Sequence, residues 1–453
     1  MPRLFGTDGV RGLAGRDISA SLVLSLAAAA ARELCSDKAH SLPDAGARHP
    51  QAVVGVDSRI SGDMLAGACA AGLASSGFDV LLTGVIPTPG LAYLTRTGGF
   101  DLGVMISASH NPFQDNGIKF FAGTGYKLPD AVEDRIEAHL DEPLPPVTGA
   151  AVGQSRTDPK CEQTYINSLI ASAPISLDGL KVVLDCANGA SYRVAPEVFR
   201  QLGAQVVPLA HRPNGTNIND GVGSTHPEAL QRTVLAEQAD LGFAFDGDAD
   251  RCLAVDAYGQ LVNGDQIMGI LATRLKAAGQ LVGNTLVLTV MSNLGLFKAM
   301  EAAGIATATT AVGDRYVLEE MLRGGFVLGG EQSGHIIMTE FSTTGDGVLT
   351  AVQLACQVKQ TGQGLAQLAS LVPSFPQILV NVPGVDKAKA STDSGVLAAV
   401  RQAEAELGES GRVLLRPSGT EPLVRVMVEA ASQAQAQAVA DGLAATVAER
   451  LML

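Results

Sequence analysis

The apolar positions of this chain follow one pattern three times. Val53-Val54-Gly55-Val56 predicts a short strand. Asp57-Ser58-Arg59 turns the chain, a helix of small residues ends at Gly77, and Phe78–Leu82 predicts the next strand. Val182-Val183-Leu184, the turn Asn188-Gly189, a helix to Gly203 and the strand Ala204–Leu209 follow the same order. Leu286–Val290, the turn Ser292-Asn293, a helix to Gly304 and the strand Ile305–Thr309 follow it again. Each helix is expected to end on its glycine in the left-handed conformation, where the absent Cβ removes the steric cost. Strand–helix–strand units of this length imply parallel pairing with the helix crossing over. Three related α/β domains are therefore expected.

From about residue 375 the pattern changes. An extended run over Gln377–Val382 lies between prolines, and a helix is predicted from Ser391 to Glu406. Val413–Leu415 and Leu423–Val428 flank a turn, and an amphipathic helix runs from Gln433 to Leu451. This reads as a small α+β domain. The expected domains are 1–160, 161–262, 263–374 and 375–453, with Cys35–Gln51 a surface loop.

Composition narrows the function. The 453 residues are 46% hydrophobic and 17% charged, which supports packed cores rather than disorder. Lys and Arg number 32 against 46 Asp and Glu, a net charge of −14. Such a chain is a poor ligand for a nucleic-acid backbone, so any phosphate it binds must be held by local donors and a metal ion. The start, Met1–Asp8, lacks the apolar stretch of a secretory signal, and the longest apolar run, Leu22–Ala31, is too short to cross a bilayer. Six scattered cysteines form no Cys-x-x-Cys pair, against zinc and against a disulfide framework. A cytoplasmic protein without nucleic-acid or membrane partners is expected.

Four loops carry candidate chemistry. Asp246, Asp248 and Asp250 follow the apolar run Phe243-Ala244-Phe245 at every second position. Carboxylates this close repel unless a cation neutralises them, and oxygen ligands favour Mg²⁺ over zinc. A calcium loop starting at Asp246 would need Gly and Glu where Arg251 and Ala257 stand. Ser107-Ala108-Ser109-His110-Asn111-Pro112 follows the run Leu102–Ile106 and offers Ser109 as a nucleophile. With His110 next to it in sequence, a working Ser–His couple is not expected, and the Gly-x-Ser-x-Gly elbow is missing. Gly330-Glu331-Gln332-Ser333-Gly334-His335 presents the donors and acceptors that a sugar ring requires. Arg416-Pro417-Ser418-Gly419-Thr420, with Arg425 beyond, combines guanidinium forks with hydroxyls and backbone amides suited to a phosphate. Neither a nucleotide P-loop nor a dinucleotide-binding Gly-x-Gly-x-x-Gly is present.

These loops in this order, with the opening Phe5-Gly6-Thr7-Asp8-Gly9-Val10-Arg11-Gly12, resemble the α-D-phosphohexomutase superfamily from Phe5 to Arg425. The resemblance implies an α/β fold of four domains around a central cleft: three related α/β domains with mixed sheets and a C-terminal α+β domain. It implies that Ser109 carries the transferable phosphate and that Asp246, Asp248 and Asp250 hold Mg²⁺ together with a phosphoserine oxygen. Glu331, Ser333 and His335 would contact the sugar. Arg251 would join them in substrate binding, and Arg416, Ser418, Gly419, Thr420 and Arg425 would hold the phosphate that is not reacting. Arg11, Lys119 and His335 match positions implicated in positioning or proton transfer. The implied reaction interconverts glucosamine 6-phosphate and glucosamine 1-phosphate through a sugar 1,6-bisphosphate, with the glucose and mannose phosphates as the alternative. The implied partner is a small-molecule sugar phosphate, and homo-oligomerisation is left open.

Overall fold

The structure, a computed structural model, describes residues 3–6, 8–35, 48–140, 142, 147–418 and 423–453. Most of the expected Cys35–Gln51 loop, residues 36–47, lies outside the described residues. The chain divides into two compact units, 1–290 with 306–370, and 291–305 with 371–453.

Among the described residues the first unit holds three sheets. One is built from β1 (Val10–Leu13), β2 (Gln51–Val56), β3 (Asp79–Val85), β4 (Leu102–Ile106), β5 (Asp115–Ala122) and β6 (Ser155–Thr157), in the order β1-β5-β4-β2-β3-β6. The second contains β7 (Lys181–Asp185), β8 (Gln205–Leu209), β9 (Leu241–Phe245), β10 (Cys252–Asp256) and β11 (Leu261–Val262), in the order β11-β10-β9-β7-β8. The third contains β12 (Thr285–Thr289), β13 (Ala306–Thr310), β14 (Leu328–Gly330) and β15 (Ile336–Met338), in the order β13-β12-β14-β15.

A four-strand pattern recurs in all three. β2 and β3, β7 and β8, and β12 and β13 pair in parallel, as the repeat predicts. On the other side of the first strand lies a further parallel partner: β4, β9 or β14. That strand then turns back into an antiparallel neighbour, β5, β10 or β15. The sheets are thus mixed. The apolar runs correspond to central strands: every residue of β4, β9 and β12 is buried, as expected for strands covered on both faces. Gly77, Gly203 and Gly304 have φ of 89°, 94° and 65°, the left-handed ends their positions predict. Strand ends differ from the sequence expectation by one to three residues. β3, for example, runs on to Val85, past the expected end at Leu82.

The second unit carries β16 (Gln377–Pro383), β17 (Arg412–Pro417) and β18 (Leu423–Glu429), all antiparallel in the order β16-β18-β17. Among the described residues its α-helices are Leu294–Ala302, Ser394–Leu407 and Gln433–Leu451. The helix Ser394–Leu407 starts three residues later than expected because the Asp393 carboxylate caps it, accepting from the amides of Gly395 and Val396. Val424, Val426 and Val428 of β18 pack with Val396, Leu443 and Val447 of the helices, which gives the expected α+β core. Residues near 293 join this unit through Glu429. That fully buried carboxylate accepts from Arg412 Nε at 2.6 Å, Asn293 Nδ2 at 3.1 Å and the Leu294 amide at 2.9 Å.

In the first unit the helix Gly347–Thr361 is buried along most of its length and is capped by Asp346, whose carboxylate accepts from the Leu349 amide at 2.9 Å. The Tyr165 hydroxyl donates to the same carboxylate at 2.9 Å. Burial pushes the Asp346 carboxyl up to about 6 despite these donors. A carboxyl raised on folding contributes stability below its unfolded pKa, and that contribution is lost as pH rises through the folded value. Asp346→Asn should therefore remove a decline in stability between about pH 4 and 6, read as urea midpoints across that range. An unchanged pH slope would contradict the burial argument.

Candidate active site

The chemistry-bearing loops of the first unit occupy one topological position. Ser109 lies between β4 and β5, Asp246–Arg251 between β9 and β10, and Glu331–His335 between β14 and β15. Each follows the carboxyl end of a parallel strand, where α/β sheets place their ligand sites.

The three loops meet. Ser109 Oγ donates to Asp246 Oδ2 at 2.5 Å, and Ser109 is fully buried. Asp246, Asp248 and Asp250 are all buried and offer carboxylate oxygens within 4.8 Å of one another. The sugar-type loop docks on the acidic loop through the backbone: the Cys252 amide donates to the Gly334 carbonyl at 3.0 Å, and Arg251 bridges His335. Gly334 has φ of 91°, and a Cβ there would lie 2.2 Å from the Cys252 carbonyl oxygen, so a side chain would break this junction.

Lys119, one of the buried residues of β5, links the acidic loop to the opening motif. Its Nζ lies 2.9 Å from Asp248 Oδ2, 3.0 Å from Asp8 Oδ2 and 3.9 Å from Asp250 Oδ2, and the residue is 2% exposed. Thr88 Oγ1 also donates to Asp248 Oδ2, at 2.7 Å. Asp8 pairs with Arg11 and with Lys127, whose Nζ lies 2.6 Å from Asp8 and also contacts Asp314. His335 Nε2 lies 3.8 Å from Asp314 and accepts from the Gly345 amide at 3.2 Å. Asp8, Lys127, Asp314 and Thr88 are site residues that sequence reasoning did not assign. Asp8 stood in the quoted opening motif, but Lys127, Asp314 and Thr88 belong to no local motif and enter through tertiary contact.

Burial, then the charges of Asp250 and Asp248, push the Asp246 carboxyl well above its ordinary range. Burial and Asp248 raise that of Asp250. Burial also opposes the charge on Asp248, but Lys119 and the Thr88 hydroxyl outweigh it and hold that carboxyl below the ordinary value. For Lys119, burial favours the neutral amine, and Asp248, Asp8 and Asp250 overcome it, so the ammonium is held charged. Asp248 Oδ1 and Asp250 Oδ1 are buried without a hydrogen-bond partner among the described residues. Clustered carboxylates with unsatisfied oxygens fit a hard divalent cation. Arg11 Nε, Arg251 Nε, Ser333 Oγ and His335 Nδ1 are likewise buried without a hydrogen-bond partner among the described residues, which leaves donors around the triad for a polar ligand.

His110 lies beside Ser109, whose hydroxyl is given to Asp246. Its Nδ1 lies 3.4 Å from Ser109 Oγ despite being adjacent in sequence. Ser109 has φ of 52°, and this left-handed turn brings the two side chains to the same side. Burial, then Arg251 and Arg11, push the His110 imidazole down to about 4, so it is neutral at pH 7.

In the second unit Arg416 and Arg425 stand opposite each other on β17 and β18. Like charges in that register repel. Burial and Arg425 together lower the Arg416 pKa, and Arg425 Nε is buried without a hydrogen-bond partner among the described residues. Ser418, buried at the end of β17, has its carbonyl bound by Lys387 Nζ at 2.7 Å. An anion would relieve this pair of cations. Gly419 and Thr420 lie outside the described residues.

Comparisons with known proteins define the class. Four phosphoglucomutase/phosphomannomutase models match in order: α/β/α domain I over residues 2–144, α/β/α domain II over 163–259, α/β/α domain III over 263–375 and the C-terminal domain over 379–446. The chain belongs to the phosphoglucomutase/phosphomannomutase family and is a phosphohexomutase, an isomerase that works by phosphoryl transfer. Among its relatives is the phosphoglucosamine mutase of Arthrobacter sp. strain FB24, 58% identical over 100% of this chain and 99% of the relative. A phosphoglucomutase/phosphomannomutase family protein from Burkholderia thailandensis shares the fold, with a TM-score of 0.82 at 24% identity over 99% of this chain and 97% of that one. So does the N-acetylphosphoglucosamine mutase of Aspergillus fumigatus, solved with GlcNAc-6P and magnesium. Its TM-score is 0.70 at 18% identity, over 98% of this chain and 95% of that one.

A buried acidic triad is costly without a counter-charge. Millimolar Mg²⁺ should raise the melting temperature of the purified protein by several degrees. Asp250→Asn should remove at least half of that gain and melt higher than the parent without metal. Thermal melts with and without chelator decide it, and a parent indifferent to Mg²⁺ would refute the cation reading.

Proposed function

We propose that the enzyme interconverts glucosamine 6-phosphate and glucosamine 1-phosphate in the cytoplasm, through a phosphoserine at Ser109 and a sugar 1,6-bisphosphate. The contact of Ser109 Oγ with Asp246 inside the buried triad carries this reading, because it puts a nucleophilic hydroxyl where a cation can sit. The amino-sugar preference rests on the 58% identity to the Arthrobacter relative over the full length of both chains.

Phosphoryl transfer needs positioning and charge neutralisation more than covalent work by the protein. In the forward half-reaction the Ser109 Oγ–P bond breaks as a sugar hydroxyl oxygen bonds to phosphorus, and the hydroxyl proton passes to a protein base. Ser109 Oγ leaves as an alkoxide and is protonated. The second half-reaction reverses these steps with the other phosphate, after the bisphosphate has turned round. Asp246, Asp248 and Asp250 would hold Mg²⁺, which when bound offsets the charge of the phosphoryl group. Lys119, charged and buried at the triad, stabilises negative charge that develops on the phosphoryl oxygens. Arg11 and His335, tied through Asp8, Lys127 and Asp314, are the groups placed to orient the sugar or move its proton. Glu331, Ser333 and Arg251 would bind the sugar. Arg416, Ser418, Gly419, Thr420 and Arg425 would hold the phosphate that is not reacting, so that one serine serves both ends.

Ser109→Ala should abolish mutase turnover in a folded protein and remove the mass of one phosphoryl group from the isolated enzyme; normal turnover would end the phosphoserine assignment. Arg416→Ala should raise KM about tenfold or more, the loss of one charge-assisted contact, while the ranking of glucosamine, glucose and mannose phosphates stays the same. An unchanged KM would refute the anion role.

A further inference from the structure

The Ser109 loop is held from below by two residues outside the chemistry described so far. Arg59 follows β2, and both its guanidinium and the Asp57 carboxylate paired with it are fully buried. Arg59 Nε donates to Asp57 Oδ2 at 2.8 Å. Nη1 donates to the carbonyls of Pro112 and, at 2.9 Å, Asp115. Nη2 donates to the carbonyls of Ser109 at 2.8 Å and Asn111 at 2.9 Å. All five guanidinium hydrogens are therefore used, four of them on the backbone of one loop.

Asn219, from the second sheet's domain, reaches the same place. Its Nδ2 donates to the carbonyl of Ser109 at 2.9 Å and to that of Asn111 at 3.0 Å, the two acceptors that Arg59 Nη2 also takes. Asp57 closes the arrangement. It accepts from the Ser107 hydroxyl at 2.6 Å, and Ser107 Oγ accepts in turn from the Ser109 amide at 2.9 Å. The peptide groups on both sides of Ser109 are thus fixed by side chains.

This fixing matters because Ser109 occupies a conformation that L-residues avoid, with φ of 52°. Such strain costs on the order of 1 kcal/mol or more and persists where the surroundings over-determine it. Without the clamp, relaxation to a common backbone conformation would swing Oγ away from Asp246. We propose that Arg59 and Asn219 are positioning residues for phosphoryl transfer: they hold Ser109 in its left-handed conformation so that Oγ stays at the metal-binding carboxylates. Their hydrogen bonds go to the loop and to Asp57, so they act through Ser109 rather than on the sugar. The inference rests on Ser109 carrying the phosphate. The same oxygen serves both half-reactions, so a displaced loop slows each of them.

Arg59→Lys keeps the charge but provides three donors for five acceptors. Asn219→Gly removes the amide while suiting the backbone, since Asn219 itself has φ of 58°. Each full-length variant is compared with the parent by intact mass, steady-state kinetics on glucosamine 6-phosphate and ³¹P NMR of the phosphoserine. The expected result is a fall in kcat of about 10- to 100-fold per folded, phosphorylated molecule, with KM within about threefold. The phosphoserine resonance should broaden or split. Unchanged kcat per phosphorylated molecule with one sharp resonance would make the clamp merely structural and overturn the proposal, as would a rise in KM at constant kcat. If Arg59→Lys fails to fold, Asn219→Gly decides, because it leaves the guanidinium in place. A parent enzyme that turns over without phosphate on Ser109 would instead reject the phosphoserine reading, and intact mass separates the two failures.

Discussion

Lys119 is the contact on which the site depends. A buried ammonium costs several kcal/mol unless it is paired, and the same holds for each carboxylate around it. Here one Nζ lies within 3.0 Å of both Asp8 and Asp248, and so joins the opening motif to the acidic loop. Asp8 passes the pairing on to Arg11 and Lys127, and Lys127 passes it to Asp314 beside His335. No segment could bury these charges alone. Apart from the local Asp8–Arg11 pair, these contacts join elements distant in sequence, and the side chains at the site are oriented as a consequence.

The second organising feature is topological. Three sheets repeat the same four-strand order, and in each the hairpin after the third strand carries the chemistry: Ser109, the aspartate triad, or Glu331 to His335. Fully buried parallel strands must be apolar along their length, so polar function is displaced to the loops at their carboxyl ends. One supersecondary unit used three times thereby supplies a buried serine, a cluster of carboxylates fit for a cation and a polar loop that docks on them.

Much of this was legible in the chain. The βαβ repeat showed because buried strands leave continuous apolar runs and because Gly77, Gly203 and Gly304 close their helices. The acidic triad showed because three carboxylates at alternate positions behind a strand make little physical sense without a cation. The antiparallel strands β1, β5, β10 and β15 did not show: β1 and β5 mix polar with apolar residues, and the short apolar runs of β10 and β15 fall outside the repeated strand–helix–strand pattern. Nor did the Ser109–His110 contact, which follows from a backbone conformation that no side-chain pattern signals.

Local order in the chain settled which residue types occupy the loops, because apolar periodicity, turn chemistry and motif spacing all act over a few residues. Folding in three dimensions settled which of them became partners. Lys127 and Asp314 are 187 positions apart, and Arg59 and Asn219 come from loops that follow strands of different sheets yet bind the same two carbonyls. Pairing buried charges and carbonyls depends on distance and desolvation in space, and neither quantity is written in the separation of residues along a chain.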